Sequence, residues 1–167
     1  QGGKIDITAN YVNLERADVI ASGESMGGKT RIGGEYLGGK LLASTTKHES
    51  DGFINRFGEQ NKIKNAKYTT VGVDSEINVS SSDGKGGTAI VWSDEITDFS
   101  GIINANGVDS VNSGNLIKNT PLEDDLETGG FVEISSSNLL RNLDLSNVNV
   151  RNGTLLLDPK NITVDGS

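Results

Sequence analysis

Asp6, Arg31 and Glu133 come nearest to a catalytic set in this chain, because each falls three residues after a glycine that opens a short alternating segment. Carboxylates on adjacent coils of a solenoid, or carboxylates with a basic residue, facing one groove would suit glycoside chemistry. The same position in the segment between Arg31 and Glu133 is Ile90, and that apolar interruption predicts an ordinary mixed surface. His48 is the single histidine, and the chain has no cysteine, so a zinc site would need carboxylates for its remaining ligands. No Gly-x-Ser-x-Gly elbow accompanies it, and it reads as a solvated loop residue. Gly34 to Gly39-Lys40 has the outline of a phosphate loop, but Leu41 stands where Ser or Thr would bind Mg²⁺. Turn glycines account for that segment more simply. Glu123-Asp124-Asp125 lacks both the EF-hand spacing and a repeated Gly-Gly-x-Gly-x-Asp pattern, and reads as a solvated loop. Asn78-Val79-Ser80 and Asn161-Ile162-Thr163 fit the glycosylation acceptor pattern, as chance allows in a chain rich in Asn, Ser and Thr. No catalytic residue, cofactor or metal ligand is assigned.

The elements that would position such residues are set by five glycines, Gly3, Gly28, Gly87, Gly130 and Gly153, at intervals of 25, 59, 43 and 23 residues. Two residues after each stand Ile5, Thr30, Ala89, Val132 and Leu155; four after stand Ile7, Ile32, Val91, Ile134 and Leu157. Period-two alternation puts both columns on one strand face, and the recurrence predicts that successive coils stack them into an interior ladder. The positions one and three after each glycine are mostly polar, with Ile90, Phe131 and Leu156 as exceptions. Val12, Ile96 and Leu139, nine residues past their glycines, predict a second strand. Val19 with Ala21, Ile77 with Val79, Ile103 with Ala105, and Val148 with Val150 predict a third. The expected fold is all-β: a right-handed parallel β-helix of four to five coils, each of three short strands and roughly 25 residues, forming a single segment over residues 1–167.

The long intervals are read as insertions at about 37–68 and 108–127. Solenoid loops grow without disturbing the stack, since loop closure costs rise slowly with length. The first holds six basic side chains against three acidic; the second holds five acidic and one basic. Lys47, His48, Phe53, Arg56, Phe57, Lys62 and Lys64 form the candidate partner-binding loop, and the spacing of Phe53, Ile54 and Phe57 is compatible with a short helix.

Composition agrees with this architecture. Among 167 residues, 22 are glycine and 5% aromatic, which suits many short strands and turns better than a core of large rings. The net charge of −8 disfavours nucleic acid and anionic membranes as general partners. No apolar run approaches the ~18 residues that span a bilayer. Lacking signal-peptide character, and opening directly on the repeat, Gln1-Gly2-Gly3 suggests a piece from within a longer chain.

Three runs carry a family resemblance: Gly86-Gly87-Thr-Ala-Ile-Val-Trp92-Ser-Asp94, Gly129-Gly130-Phe-Val-Glu-Ile-Ser135, and Gly153-Thr-Leu-Leu-Leu-Asp158-Pro159-Lys-Asn161-Ile-Thr163. Together with Gly33-Gly34-Glu35-Tyr36 and Tyr68-Thr-Thr-Val-Gly72, they resemble the exoproteins of two-partner secretion, the filamentous haemagglutinins and high-molecular-weight adhesins of Gram-negative bacteria. The resemblance implies secretion to the bacterial surface through an outer-membrane transporter, and a host-surface glycan or protein as later partner. Because the Asn-Pro-Asn type secretion motifs are missing, it implies a place on the shaft just beyond the secretion domain or at its distal edge. It also implies that Asp158-Pro159 marks a domain end. The leading expectation is a non-catalytic adhesin segment that supports attachment to host surfaces. A receptor-type exoprotein capturing a host serum protein such as a haem carrier is the second reading, and a polysaccharide-active β-helix enzyme the third.

Overall fold

The computed structural model describes residues 1–40, 63–108 and 128–163. They wind into a parallel β-helix of five coils. Coil 1 contains β1 (Lys4–Ile7), β2 (Tyr11–Leu14) and β3 (Asp18–Ile20). Coil 2 contains β4 (Lys29–Ile32), β5 (Tyr68–Val71) and β6 (Glu76–Asn78), and coil 3 contains β7 (Thr88–Val91), β8 (Ile96–Phe99) and β9 (Ile102–Asn104). Coil 4 contains β10 (Phe131–Ile134), β11 (Leu139–Arg141) and β12 (Val148–Asn149); coil 5 contributes β13 (Thr154–Leu156) and β14 (Asn161–Ile162). Equivalent strands pair in parallel to give three sheets, ordered β1-β4-β7-β10-β13, β2-β5-β8-β11-β14 and β3-β6-β9-β12.

The interior follows the predicted columns on two sheets. Ile7, Ile32, Val91 and Ile134 register in one ladder, and the last three are fully buried. Val19, Ile77, Ile103 and Val148 register in the third sheet, with Ile77 and Ile103 equally sealed. In the second sheet the expected register is corrected by one residue. Val12 pairs with Thr69, Thr97 and Leu140, whereas Ile96 and Leu139 share their row with Tyr11 and Tyr68. The reason lies in the first corner, which is Thr8–Asn10 in coil 1 but Trp92–Glu95 in coil 3, one residue longer. A compensating residue at the second corner of coil 1, where Arg16 adopts φ 51, restores the phase before β3. Shifting by one residue exchanges the two faces of a strand, so Thr97 points inward in place of Ile96. Its hydroxyl is satisfied there, donating to the Ser135 carbonyl at 2.7 Å and lying 2.8 Å from Ser93 Oγ. Thr69 likewise donates to the Trp92 carbonyl at 2.7 Å.

The repeating glycines turn the third sheet into the first, and at Gly28, Gly87, Gly130 and Gly153 close backbone approach is what demands them. A Cβ at Gly87 would sit 2.1 Å from the Gly28 carbonyl oxygen, and at Gly130 it would sit 2.0 Å from that of Gly87. The coil below occupies the space that any side chain would need. Beyond Asp158-Pro159 the ladder continues, with Leu139 paired to Asn161 in β14. No helix among the described residues is long and apolar enough to cross a membrane.

Two outcomes are expected. Gly87→Ala destabilises the chain by about 3 kcal/mol through overpacking of backbone on backbone, read from urea denaturation; a loss smaller than measurement error would contradict the steric account. Thr30 sits in the apolar ladder with Ala89 and Val132, and its buried hydroxyl has no hydrogen-bond partner among the described residues. Thr30→Val is therefore expected to stabilise by about 1 kcal/mol, because the desolvated hydroxyl is removed without leaving a cavity. A fall in the denaturation midpoint would contradict it.

Candidate functional site

Sheets of a solenoid normally turn one face to water, yet β7 and β10 are buried on both faces, and so are Thr30, Arg31 and Ile32 of β4. The expectation of an ordinary mixed surface around Asp6, Arg31, Ile90 and Glu133 is thus corrected. Their registry is as expected, Asp6 to Arg31 to Ile90 to Glu133, but only Asp6 is exposed, and the other three lie under a second layer. That layer begins at Glu35, whose carboxylate caps a 3-10 turn, Tyr36–Gly39, by accepting from Tyr36 N at 2.9 Å. Leu37 (φ 49) and Gly38 (φ 63) hold left-handed geometry, bending the chain across the sheet as a strap.

The strap touches three successive coils. On coil 2, Arg31 is 1% exposed; it forks onto Asp6 through two bonds of 2.6 Å and pairs with Glu35 on its other side. On coil 3, Gly38 lies so close to the Trp92 indole that a Cβ would approach Cζ2 to 2.5 Å, and the Lys40 ammonium stands 5.6 Å from the ring centroid. On coil 4, Leu37 N–H donates to both Glu133 carboxyl oxygens at 3.1 Å, the Tyr36 ring meets Phe131 edge-on at 5.4 Å, and Lys40 donates to Ser137 Oγ at 3.0 Å. Asn65 locks the strap from the far foot of the insertion, donating to the Gly38 carbonyl at 3.1 Å and to Asp94 at 2.9 Å.

The electrostatics follow from this burial. Arg31's hydrogen bonds hold the Asp6 carboxyl below the usual range, and the bond to Asp6 in turn raises Arg31. Burial pushes the Glu133 carboxyl up to about 8; the negative charges of Asp158 and Glu35 add to the shift, and bonds from Leu37 and Ser135 oppose it. These groups serve one another and the strap. A separate groove of about 510 Å³ runs along the glycine corner, edged by Lys4, Lys29 and Lys85, with backbone as most of its wall.

Of the candidate partner-binding residues, Lys47, His48, Phe53, Arg56, Phe57 and Lys62 lie outside the described residues, as does the helical spacing at Phe53, Ile54 and Phe57. Lys64 is exposed, and its carbonyl accepts from the Thr8 hydroxyl of coil 1, tying the returning foot of the insertion to the solenoid. Most of the second insertion also lies outside the described residues. Sequence reasoning missed the strap, although Ile90 and Phe131, apolar where the outward positions are otherwise mostly polar, were its signature.

A parallel β-helix with one sheet roofed by its own insertion is the class of structure defined here. No family model matches the chain, and no curated protein matches it. Among solved structures, the HMW1 secretion domain from Haemophilus influenzae is similar over 98% of this chain at 30% identity, with a TM-score of 0.53. The chain spans 32%, about a third, of the length of that structure. The likeness is therefore to a portion of a secretion domain.

Removing the Arg31 guanidinium would strand Glu35 in the sealed layer. Arg31→Met is expected to cost about 3 kcal/mol, the usual range for breaking one side of a buried pair, measured by chemical denaturation at neutral pH. Acid acts on the Asp6 side of the cluster. Stability from that pair is present above the ordinary Asp value of 3.8 and is lost as pH falls through the lowered one.

Proposed function

We propose that this chain is a non-catalytic β-helical segment of a secreted adhesin-type exoprotein of the two-partner class, exported through an outer-membrane transporter. The observation that supports this reading most is the likeness, at 30% identity over 98% of the chain, to a structure described as a secretion domain. The physics of the fold suits export of an extended chain. Apolar ladders form between successive coils, so folding outside the membrane proceeds by adding one coil's burial at a time. The absence of cysteine leaves nothing to cross-link before passage.

Residues 1–167 are read as one folded segment of a longer protein, with the basic insertion at 37–68 as the element that meets a host-surface glycan or protein. In support of that role, both feet of the insertion are held on the solenoid: Lys40 on Ser137 and Trp92, and Asn65 on Asp94. A charged loop held at both ends loses less freedom on binding than a free one. Arg31 and Glu133 are buried and engaged with neighbouring residues, and the exposed Asp6 is committed to Arg31, which supports the non-catalytic reading.

The test is secretion and attachment of the parent exoprotein with its own transporter. Intact protein is expected in the medium only when the transporter is co-expressed, and deleting residues 40–66 is expected to lower host-cell attachment at least tenfold while secretion persists. Secretion without the transporter would overturn the export assignment, and undiminished attachment would remove the loop as the contact element.

A further inference from the structure

We propose that the strap Glu35–Lys40 is a proton-held clasp, lying shut across coils 2 to 4 while the Glu133 carboxyl carries a proton and released as that carboxyl ionises. The geometry carries the inference. Glu133 is fully buried, and both its oxygens are engaged by one backbone N–H, that of Leu37, at the crest of the strap. The groups facing it come from every side. From the strap and its root come Tyr36, Lys40 and Glu35; from β4 comes Arg31; from the end of β10 comes the Ser135 hydroxyl; from the segment after β13 comes Asp158. The cations among them are engaged elsewhere: Arg31 with Asp6 and Glu35, across the Ile90 rung, and Lys40 with Ser137 and Trp92. An ionised Glu133 would thus keep a neutral N–H and a hydroxyl as hydrogen-bond donors, buried beside the Glu35 carboxylate, with the exposed Asp158 carboxylate on its other side. Water reaches it when the strap lifts.

The sign follows from linkage. With the strap shut the carboxyl titrates at about 8; once hydrated it returns toward the ordinary 4.5. Between those values the open form has lost a proton that the closed form keeps, so the opening constant rises about tenfold per pH unit and levels off above 8. Asp6 titrates below this window and Arg31 above it.

The experiment is amide hydrogen exchange on the full 167-residue chain from pH 5.5 to 9, corrected for intrinsic exchange rates. Protection at Leu37, Gly38 and Lys40 is expected to fall about tenfold per pH unit up to 8 and then flatten, and at every pH to stay at least tenfold below that of Val91 and Ile134 in the ladder. Glu133→Gln is expected to abolish the slope at the strap. Trp92, the sole tryptophan and 2% exposed beneath the strap, gives an independent reading in the wild-type chain: acrylamide quenching should rise over the same interval. The proposal is overturned by pH-independent strap protection, by a slope that persists in Glu133→Gln, or by strap protection equal to that of Val91 and Ile134, which would mean the whole fold opens together. Should the variant not fold, the wild-type comparison of strap against ladder, with Trp92 quenching, decides between the same outcomes.

Discussion

Everything in this fold depends on how closely one coil's backbone lies on the next at the glycine corner. Parallel strands stack about 4.8 Å apart, and where the chain turns from the third sheet to the first, carbonyl oxygens fill the space a side chain would take. That contact sets the phase of every coil. Once Gly28, Gly87, Gly130 and Gly153 are stacked, the residues two and four positions later must coincide, and the apolar ladder is a consequence of the turn. Corner lengths elsewhere vary, as Arg16 and the short Thr8–Asn10 corner show.

Much of the architecture was legible because it is periodic. Ile32, Val91 and Ile134 could be aligned from their distance to a glycine, and so could Ile77 and Ile103, since the gaps between these positions recur in most coils. The second sheet was misread by one residue at Ile96 because its corner changes length between coils, and a hydroxyl such as Thr97's looks outward on a polarity scale. Only the structure reveals that it serves the Ser135 carbonyl from within. The strap was illegible for a different reason. It starts in an insertion that breaks the repeat, and its positive-φ turn at Leu37 carries no glycine signature at that residue. Its footprint was nonetheless present in Ile90 and Phe131, apolar where water was expected.

The roofed sheet separates two kinds of burial within one segment. Inside the coils, burial is aliphatic and regular, and removing one side chain affects its vertical neighbours. Under the strap it is polar and irregular, with the Arg31–Glu35 ion pair and the Glu133 carboxyl beside the Tyr36–Phe131 ring pair. Buried charges of this type contribute little net stability but disfavour alternative arrangements, because any shift in register leaves one of them unmatched. The strap and row together therefore fix which coil lies against which.

One feature sets this segment apart from an idealised linear array. In such an array each unit senses only the units above and below it, and melting can begin at either terminus and creep inward. Here the Leu37 amide reaches a carboxyl 96 residues later, skipping the intervening coil altogether. Coils 2, 3 and 4 are thereby coupled beyond nearest neighbours, like a drum bolted across its staves.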